Sequence, residues 1–488
     1  MKIKSIRSFC FSLLFLIISP VFSQSSWAKK FPGIGTFSSP RIADLNGDGT
    51  GDIILGAGRE EYQASDSAFI ALDGTNGQML WRVAGRDQVF GSAALRDLNG
   101  DGIMDPVIGG RSAELKAIDG KTGKILWEYF KTTSTTEPRL AGWYNFYNPQ
   151  FIPDQDGDGM EDILVSNGGD VLVEAYDPNR PAGSLFILSS KSGKLLSQAK
   201  MPDGKEIYMS IVVAEIAGEW TVIFGTGGET LGGSLFTVSL EEVRKGDISG
   251  AKKLASSETK GFISPPVCVD ITGDGVLDII ANSVEGRMYA FNGKNLKLLW
   301  EVLMPDTEIY SSLAVGKFTA DKVPDFFVSV AQGEWPKLEW NRQFMVDGAK
   351  GEIVFSDSLG FYQTSTAVVA DLTGDGRDEV LMSVNYQIVD ELFRKTFQNM
   401  LVVVDFTQNE VIQLENTFEG NNIASTPWIG DLDGNGKLDI IYCHATNTRH
   451  TFTFDGMQVN RLDTEVPIYT PVKWGAYMGS NYDGILKK

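Results

Sequence analysis

Short apolar runs flanked by turn-forming residues recur along the whole chain, among them Asp52-Ile-Ile-Leu-Gly56, Asp162-Ile-Leu-Val-Ser166, Asp278-Ile-Ile-Ala-Asn282 and Asp439-Ile-Ile-Tyr-Cys443. They are β-branched and too short for buried helices, so they read as strands. A shorter run precedes each, as in Ser39-Pro-Arg-Ile-Ala43 and Ser92-Ala-Ala-Leu-Arg96. A second phrase follows: Ala71-Leu-Asp-Gly-Thr-Asn-Gly-Gln-Met-Leu-Trp81, Ala117-Ile-Asp-Gly-Lys-Thr-Gly-Lys-Ile-Leu-Trp127 and Ala290-Phe-Asn-Gly-Lys-Asn-Leu-Lys-Leu-Leu-Trp300. That phrase predicts a strand, a tight turn and another strand. The repeating unit therefore has four strands, A to D.

Units start near residues 38, 91, 148, 208, 262, 310, 363 and 424. The period of roughly fifty residues suits one propeller blade. Closure into a ring protects the sheet edges, so the expected fold is an all-β, eight-bladed β-propeller of four-stranded antiparallel blades, with seven blades as the alternative. Trp81, Trp127 and Trp300 share one position of the repeat and should pack blade on blade. Ser25-Ser-Trp27-Ala-Lys-Lys-Phe31 resembles a D strand without its blade, and Ile468-Tyr-Thr-Pro-Val-Lys-Trp474 one more A strand. Either could be the clasp.

Between strands A and B lies an acidic nine-residue stretch, written six times. Its positions 1, 3, 5, 7 and 9 are Asp44, Asn46, Asp48, Thr50 and Asp52; Asp97, Asn99, Asp101, Ile103 and Asp105; and Asp154, Asp156, Asp158, Met160 and Asp162. The later copies are Asp270, Thr272, Asp274, Val276 and Asp278; Asp371, Thr373, Asp375, Arg377 and Glu379; and Asp431, Asp433, Asn435, Lys437 and Asp439. Side-chain oxygens at 1, 3, 5 and 9, a carbonyl at 7 and glycine at 6 are what a hard cation needs to gather about six oxygens near 2.4 Å. The expectation is about six Ca2+ sites. An Asx-type turn is the competing explanation of any single copy, but not of six in one register.

Two units lose the pattern. Around Glu215-Ile-Ala-Gly-Glu219 the loop is about two residues shorter. At Lys317-Phe-Thr-Ala-Asp321-Lys-Val-Pro-Asp325 a lysine replaces the first aspartate, and its ammonium is expected near Asp321 and Asp325.

Composition then narrows the context. Lys2, Lys4 and Arg7 precede an apolar run from Phe9 to Ile18, which reads as a secretory leader over residues 1–23, leaving 24–488 as one propeller domain. No later stretch is long and apolar enough to span a bilayer. A net charge of −20 argues against nucleic acid and anionic lipid as partners. Outside the leader there are two cysteines, Cys268 and Cys443, in different units and expected as buried thiols. The absence of any Asn-x-Ser/Thr sequon favours a bacterial source, with the protein exported to the periplasm, cell surface or medium.

The acidic loops resemble the FG-GAP and VCBS (integrin-α-like) calcium repeats, and the C–D phrase is similar to propeller repeats of the pyrroloquinoline-quinone type. The first resemblance implies calcium-stabilised blades. The second brings in quinone-dependent dehydrogenases, which carry adjacent cysteines beside the cofactor; no Cys-Cys pair occurs here. Some rhamnogalacturonan lyases are eight-bladed calcium-loop propellers, which keeps a polysaccharide-active enzyme as the alternative.

Antiparallel neighbours place the A–B and C–D connections on one face and the B–C and D–A connections on the other. The long irregular connections, 59–67, 131–148, 168–183, 332–342 and 385–399, all belong to the second face. Binding resides where loops vary on a rigid ring, and two of these are aromatic: Trp143, Tyr144 and Tyr147, and Trp335 and Trp340. Catalysis has little support, since His444 and His450 come with no nucleophile motif. The reading is an exported calcium-stabilised propeller that binds a protein or glycan through its B–C and D–A loops.

Overall fold

The computed structural model describes residues 26–130, 144–170, 173–174, 176–449 and 452–487. The expected leader, Trp143 and His450 lie outside them. Eight antiparallel sheets form the eight blades. Strand A of the successive blades is Arg41–Ala43, Ala94–Arg96, Gln150–Ile152, Val212–Ile216, Val267–Val269, Ala314–Gly316, Val368–Ala370 and Trp428–Gly430. In blades 1 to 7 it is followed in order by B, C and D, and in blade 8 by B and C; among the described residues there is one five-residue helix, Leu240–Arg244, in the C–D connection of blade 4.

Strand B is buried along its length, as in Asp52–Gly56 and Asp162–Gly168, which is why it reads as a continuous apolar run. Strand D alternates, as in Met79–Gly85, because only one of its faces meets a neighbouring blade.

The ring closes through the N-terminal strand. Trp27–Pro32 is strand D of blade 8, paired with Gly456–Pro467 from Trp27 opposite Arg461 to Pro32 opposite Gly456. The C-terminal segment is not another A strand. It enters the ring and pairs with A strands from inside: Val369 N–H donates to Trp474 O at 2.9 Å, Ile429 N–H to Gly475 O at 2.7 Å and Cys268 N–H to Gly484 O at 2.9 Å. Arg41, 1% exposed, donates to Tyr477 O at 2.9 Å and lies 4.0 Å from the Tyr482 ring centre. Trp474 is equally buried and donates to Leu313 O at 3.1 Å. The tail is thus a plug in the central channel.

A second device ties the blades together around the channel. The residue two positions before strand A is small and polar in most blades, and its side chain accepts the equivalent N–H of the preceding blade. The links run Ser312 N to Thr366 Oγ1 at 3.2 Å, Thr366 N to Thr426 Oγ1 at 2.9 Å and Thr426 N to Ser39 Oγ at 3.0 Å. They continue from Ser39 N to Ser92 Oγ at 2.9 Å and from Ser92 N to Asn148 Oδ1 at 2.8 Å. The chain crosses the junction where the first and last blades meet. In blade 5 the position is Pro265, which has no N–H to give.

Three expectations need correction. The connection between Asn385 and Asn399 is not an irregular loop: Glu379–Val389 and Lys395–Asp405 form one long hairpin, paired as far as Val389 opposite Lys395. Asn385 and Asn399 are fully buried, and Asn399 Nδ2 donates to Asn385 Oδ1 at 2.9 Å, so their polarity is satisfied inside the sheet. The blade 4 loop is shorter than expected, with strands Val212–Ile216 and Glu219–Gly225 joined by Ala217 and Gly218, both at positive φ. Finally, Lys317 does not fill the ion position of its own loop; its Nζ donates to Gly376 O of blade 7 at 2.8 Å. Cys268 and Cys443 are buried free thiols, as expected.

Candidate functional site

On the A–B face each acidic loop is shaped by its first aspartate. Asp44 Oδ1 accepts Gly47 N–H at 2.7 Å and Oδ2 accepts Gly49 N–H at 3.0 Å, and Asp97, Asp154, Asp270 and Asp371 repeat the pair. Both glycines have φ near +80°, +79° and +86° in blade 1, a region that a side chain disfavours. These N–H groups hold the Asp97 and Asp154 carboxyls below the ordinary carboxylate range. In blades 2 and 3 the first position is therefore held ionised, in a loop already folded around it.

Position 9 has a role that the spacing did not reveal. Asp52 is fully buried; its Oδ2 accepts Leu45 N–H at 2.8 Å and its Oδ1 accepts Gly74 N–H, from the C–D turn, at 2.9 Å. Asp105 and Asp278 repeat this tie. So does Asp325 in blade 6, whose loop lacks the first aspartate. The carboxylate thus joins two turns even in a loop that lacks the first acidic position. Burial pushes Asp52 up to about 6 and Glu379 up to about 7.

The repeated tryptophan completes the arrangement. Trp81 Nε1 donates to Gly120 O of the next blade at 2.6 Å, Trp127 to Ser190 O at 2.6 Å, Trp300 to Gly348 O at 2.9 Å and Trp27 to Gly74 O at 2.9 Å. A Cβ on Gly123 would sit 2.6 Å from Trp81, so that glycine is fixed by contact with the ring as well as by its φ of +70°.

In two of the six loops the carboxylates converge as a calcium site requires. In blades 3 and 8, one oxygen each of Asp154, Asp156 and Asp162, and of Asp431, Asp433 and Asp439, lie within 4.8 Å of one another. That span is about twice the Ca2+–oxygen distance of roughly 2.4 Å. The loops are not equivalent. In blade 8 the buried Arg461 reaches Asp433 at 2.7 Å and Asp463 at 2.6 Å, bringing a fixed positive charge to the site. In blade 5 the ammonium of Lys294 lies 2.9 Å from Asp274.

The opposite face is open. Residues from all eight blades line a funnel of about 370 Å3 at the channel mouth, floored by Tyr477 of the plug. Its walls are largely aromatic: Phe37, Phe90, Tyr147, Tyr208 and Tyr310. Of the expected binding residues, Tyr147 is brought here, packed between Phe90 at 5.3 Å and Tyr208 at 6.3 Å. Trp335 is tied to the rim through its backbone N–H, which donates to Glu308 at 3.1 Å. Trp340 is not part of its lining and is tilted against Phe361 with ring centres 4.2 Å apart, and Tyr144 is fixed through its backbone to Asn167 and Ala113.

The spacing of Trp and Tyr missed a repeated pair that the chain does contain, Glu206-Ile-Tyr208-Met-Ser210 and Glu308-Ile-Tyr310-Ser-Ser312. Tyr208 Oη donates to Glu206 at 2.9 Å and Tyr310 Oη to Glu308 at 2.5 Å. A cation backs each carboxylate: Arg180 at 2.9 Å from Glu206 and Lys260 at 2.7 Å from Glu308. Burial pushes Glu206 up to about 7 despite Arg180. His444 is buried within blade 8, away from the funnel, and burial lowers its pKa to about 4.

The profile of the FAM234A/B β-propeller family matches residues 58–382. Protein FAM234B of Mus musculus is 23% identical over 397 residues, covering 73% of this chain and 58% of the relative; that of Homo sapiens is 22% identical over 392 residues with the same coverage. The chain thus spans less than two thirds of these curated relatives. They are vertebrate proteins, which argues against the bacterial source expected from the missing sequons. Among solved structures, a quinohemoprotein alcohol dehydrogenase of Pseudomonas putida HK5 has a TM-score of 0.58 at 11% identity, covering 90% of this chain and 75% of the other. A rhamnogalacturonan lyase has 0.55 at 14%, covering 95% and 80%. Both share the propeller alone. Among the described residues, no helix is long and apolar enough to cross a membrane. The profile is not that of the FG-GAP and VCBS group, whose likeness remains one of loop motif; this chain belongs to the FAM234A/B β-propeller family.

Proposed function

We propose that this protein is a binding propeller that engages its ligand at the funnel and on the surrounding B–C and D–A loops, while calcium in the A–B loops stiffens the other face. One contrast carries the reading: one end of the channel is filled by the protein's own tail, and the other is an aromatic funnel to which every blade contributes. The ion would be held by positions 1, 3, 5, 7 and 9 of the six loops, least tightly in blade 8, where Arg461 competes. Export of the chain and a protein or glycan of the cell surface as partner fit the same reading.

A glycan-array and pull-down screen with face-specific variants tests it. Tyr208→Ala with Phe90→Ala should abolish capture, and Lys121→Ala on the acidic face should not. Capture that ignores both variants defeats the reading. So does turnover of a polysaccharide that disappears in Glu206→Gln.

A further inference from the structure

The charges of the funnel do not balance. Arg180 is matched by Glu206 at 2.9 Å, Lys260 by Glu308 at 2.7 Å and by Glu334 at 3.3 Å, and Arg111 by Glu61 at 2.6 Å. Glu229, in the B–C loop of blade 4, lines the same cavity and is half-buried, and no cation pairs with it among the described residues. Its negative charge acts on Tyr147, Tyr208, Tyr310 and Tyr362, which come from four blades, and makes each phenol harder to ionise. Glu229 thus lines the same mouth as Tyr147, Tyr208 and Tyr310.

Two of the molecule's own guanidinium groups already lie over the rings of this wall, Arg111 at 5.5 Å from Phe90 and Arg180 at 5.9 Å from Tyr208. Aromatic faces attract cations most strongly where water is excluded. A net charge of −20 adds long-range attraction for positive ligands. The cavity of about 370 Å3 falls within the roughly 300–1,000 Å3 of small-molecule sites.

Building on the binding role proposed above, we infer that the funnel recognises an organic cation, a protonated amine or a guanidinium, with Glu229 as its counter-ion and the rings of Phe90, Tyr147, Tyr208 and Tyr310 as its walls. The cation can be a free amine or a lysine or arginine side chain offered by a protein loop; the site reads the same chemistry in both.

Isothermal titration of the full chain in millimolar calcium distinguishes the possibilities. The probes are spermidine, the blocked amides of lysine, arginine and norleucine, and a constrained loop peptide displaying one lysine. Lysine and arginine amides should bind and norleucine amide, with the same stem and no charge, should not. Glu229→Gln should weaken binding about tenfold to a hundredfold, as loss of a charge-assisted contact does. Circular dichroism and melting of the variant confirm that it is folded, and Glu229→Asp should recover part of the affinity. Spermidine binding tighter than the peptide identifies a free amine as the source, and the reverse order identifies a protein side chain; both support the site. Equal binding of norleucine and lysine amides, no binding of any amine, or no effect of Glu229→Gln overturns the inference. Binding of a neutral oligosaccharide alone, lost in Tyr208→Ala, overturns the cation but leaves the funnel as the binding site.

Discussion

The two faces of the ring are built from the same eight blades and obey opposite rules. On the A–B face, Trp81, Gly120 and Asp105 repeat a fixed relation from blade to blade, and the tail fills the channel. On the other face the described B–C connections differ from blade to blade: a long hairpin in blade 7, a Trp335-to-Trp340 loop in blade 6, and Glu229 in blade 4. Regularity on one side supplies the stability that variation on the other requires. The comparison teaches that repeated residues here serve mainly to hold the ring, whereas recognition belongs to residues that occur once or twice.

Removing calcium should break this contrast most severely. With free calcium near 1 mM and site constants of about 10⁻⁴ to 10⁻³ M, each site adds roughly 0.4–1.4 kcal/mol, so six would add about 2–8 kcal/mol. Chelation should therefore lower the melting temperature substantially, and Asp101→Ala should remove about one site's share. An unchanged melting curve in chelator rejects calcium. The sign of the pH effect follows from Asp52 and Glu379, which burial raises to about 6 and about 7. In the metal-free protein their stabilising contribution is complete below the unfolded values near 4 and is lost as pH rises through 6 to 7. Calcium must also displace their protons. The gap between metal-free and calcium-loaded melting temperatures should accordingly widen from pH 5 to pH 7.5.

Opening the plug comes next. Trp474 is 1% exposed and its indole N–H is bonded to Leu313 O, so Trp474→Ala should cost about 3–5 kcal/mol in chemical denaturation. Loss below about 1 kcal/mol would mean that the tail is a loose appendage rather than part of the core. A smaller effect is expected at the blade junction: Trp81→Phe keeps most of the ring but loses the bond to Gly120 O, for about 2 kcal/mol.

Much of the regular face was legible in the sequence because it is local and repeated. The nine-residue acidic stretch of six blades, the tryptophan in the D strands of blades 1, 2 and 5, and the lone D-like strand at Trp27 each announce a blade, and each stands in the expected strand or connection. The plug was not legible, since Ile468-Tyr-Thr-Pro-Val alternates as an A strand would, and pairing from inside the channel leaves no local mark. Nor was the blade 7 hairpin: Asn385 and Asn399 carry turn propensity, and only the cross-strand bond between them reveals a buried ladder. The funnel was half visible. Tyr147 was named among the loop aromatics, whereas Tyr208 and Tyr310, which hold the same place ahead of strand A in blades 4 and 6, stand in shorter connections and join it only at the common mouth.

The smallest effect probes the links at the base of the funnel, where the two faces meet. Thr426 Oγ1 accepts Thr366 N–H at 2.9 Å, and Thr426 N–H continues to Ser39 Oγ at 3.0 Å. Thr426→Val keeps the shape and the second bond but leaves the buried Thr366 N–H without an acceptor, at a cost of about 1 kcal/mol. Ser312 is the internal control. Its blade follows Pro265, so no N–H depends on its hydroxyl, which only donates to Pro265 O at 3.3 Å. Ser312→Ala gives up only that long bond and should cost less than Thr426→Val. If the links close the ring, Thr426→Val should also speed hydrogen exchange at Thr366 and Ser39, on either side of the first-to-last junction, while Ser312→Ala leaves both unchanged. Equal exchange in the two variants would assign closure to the Trp27 strand alone.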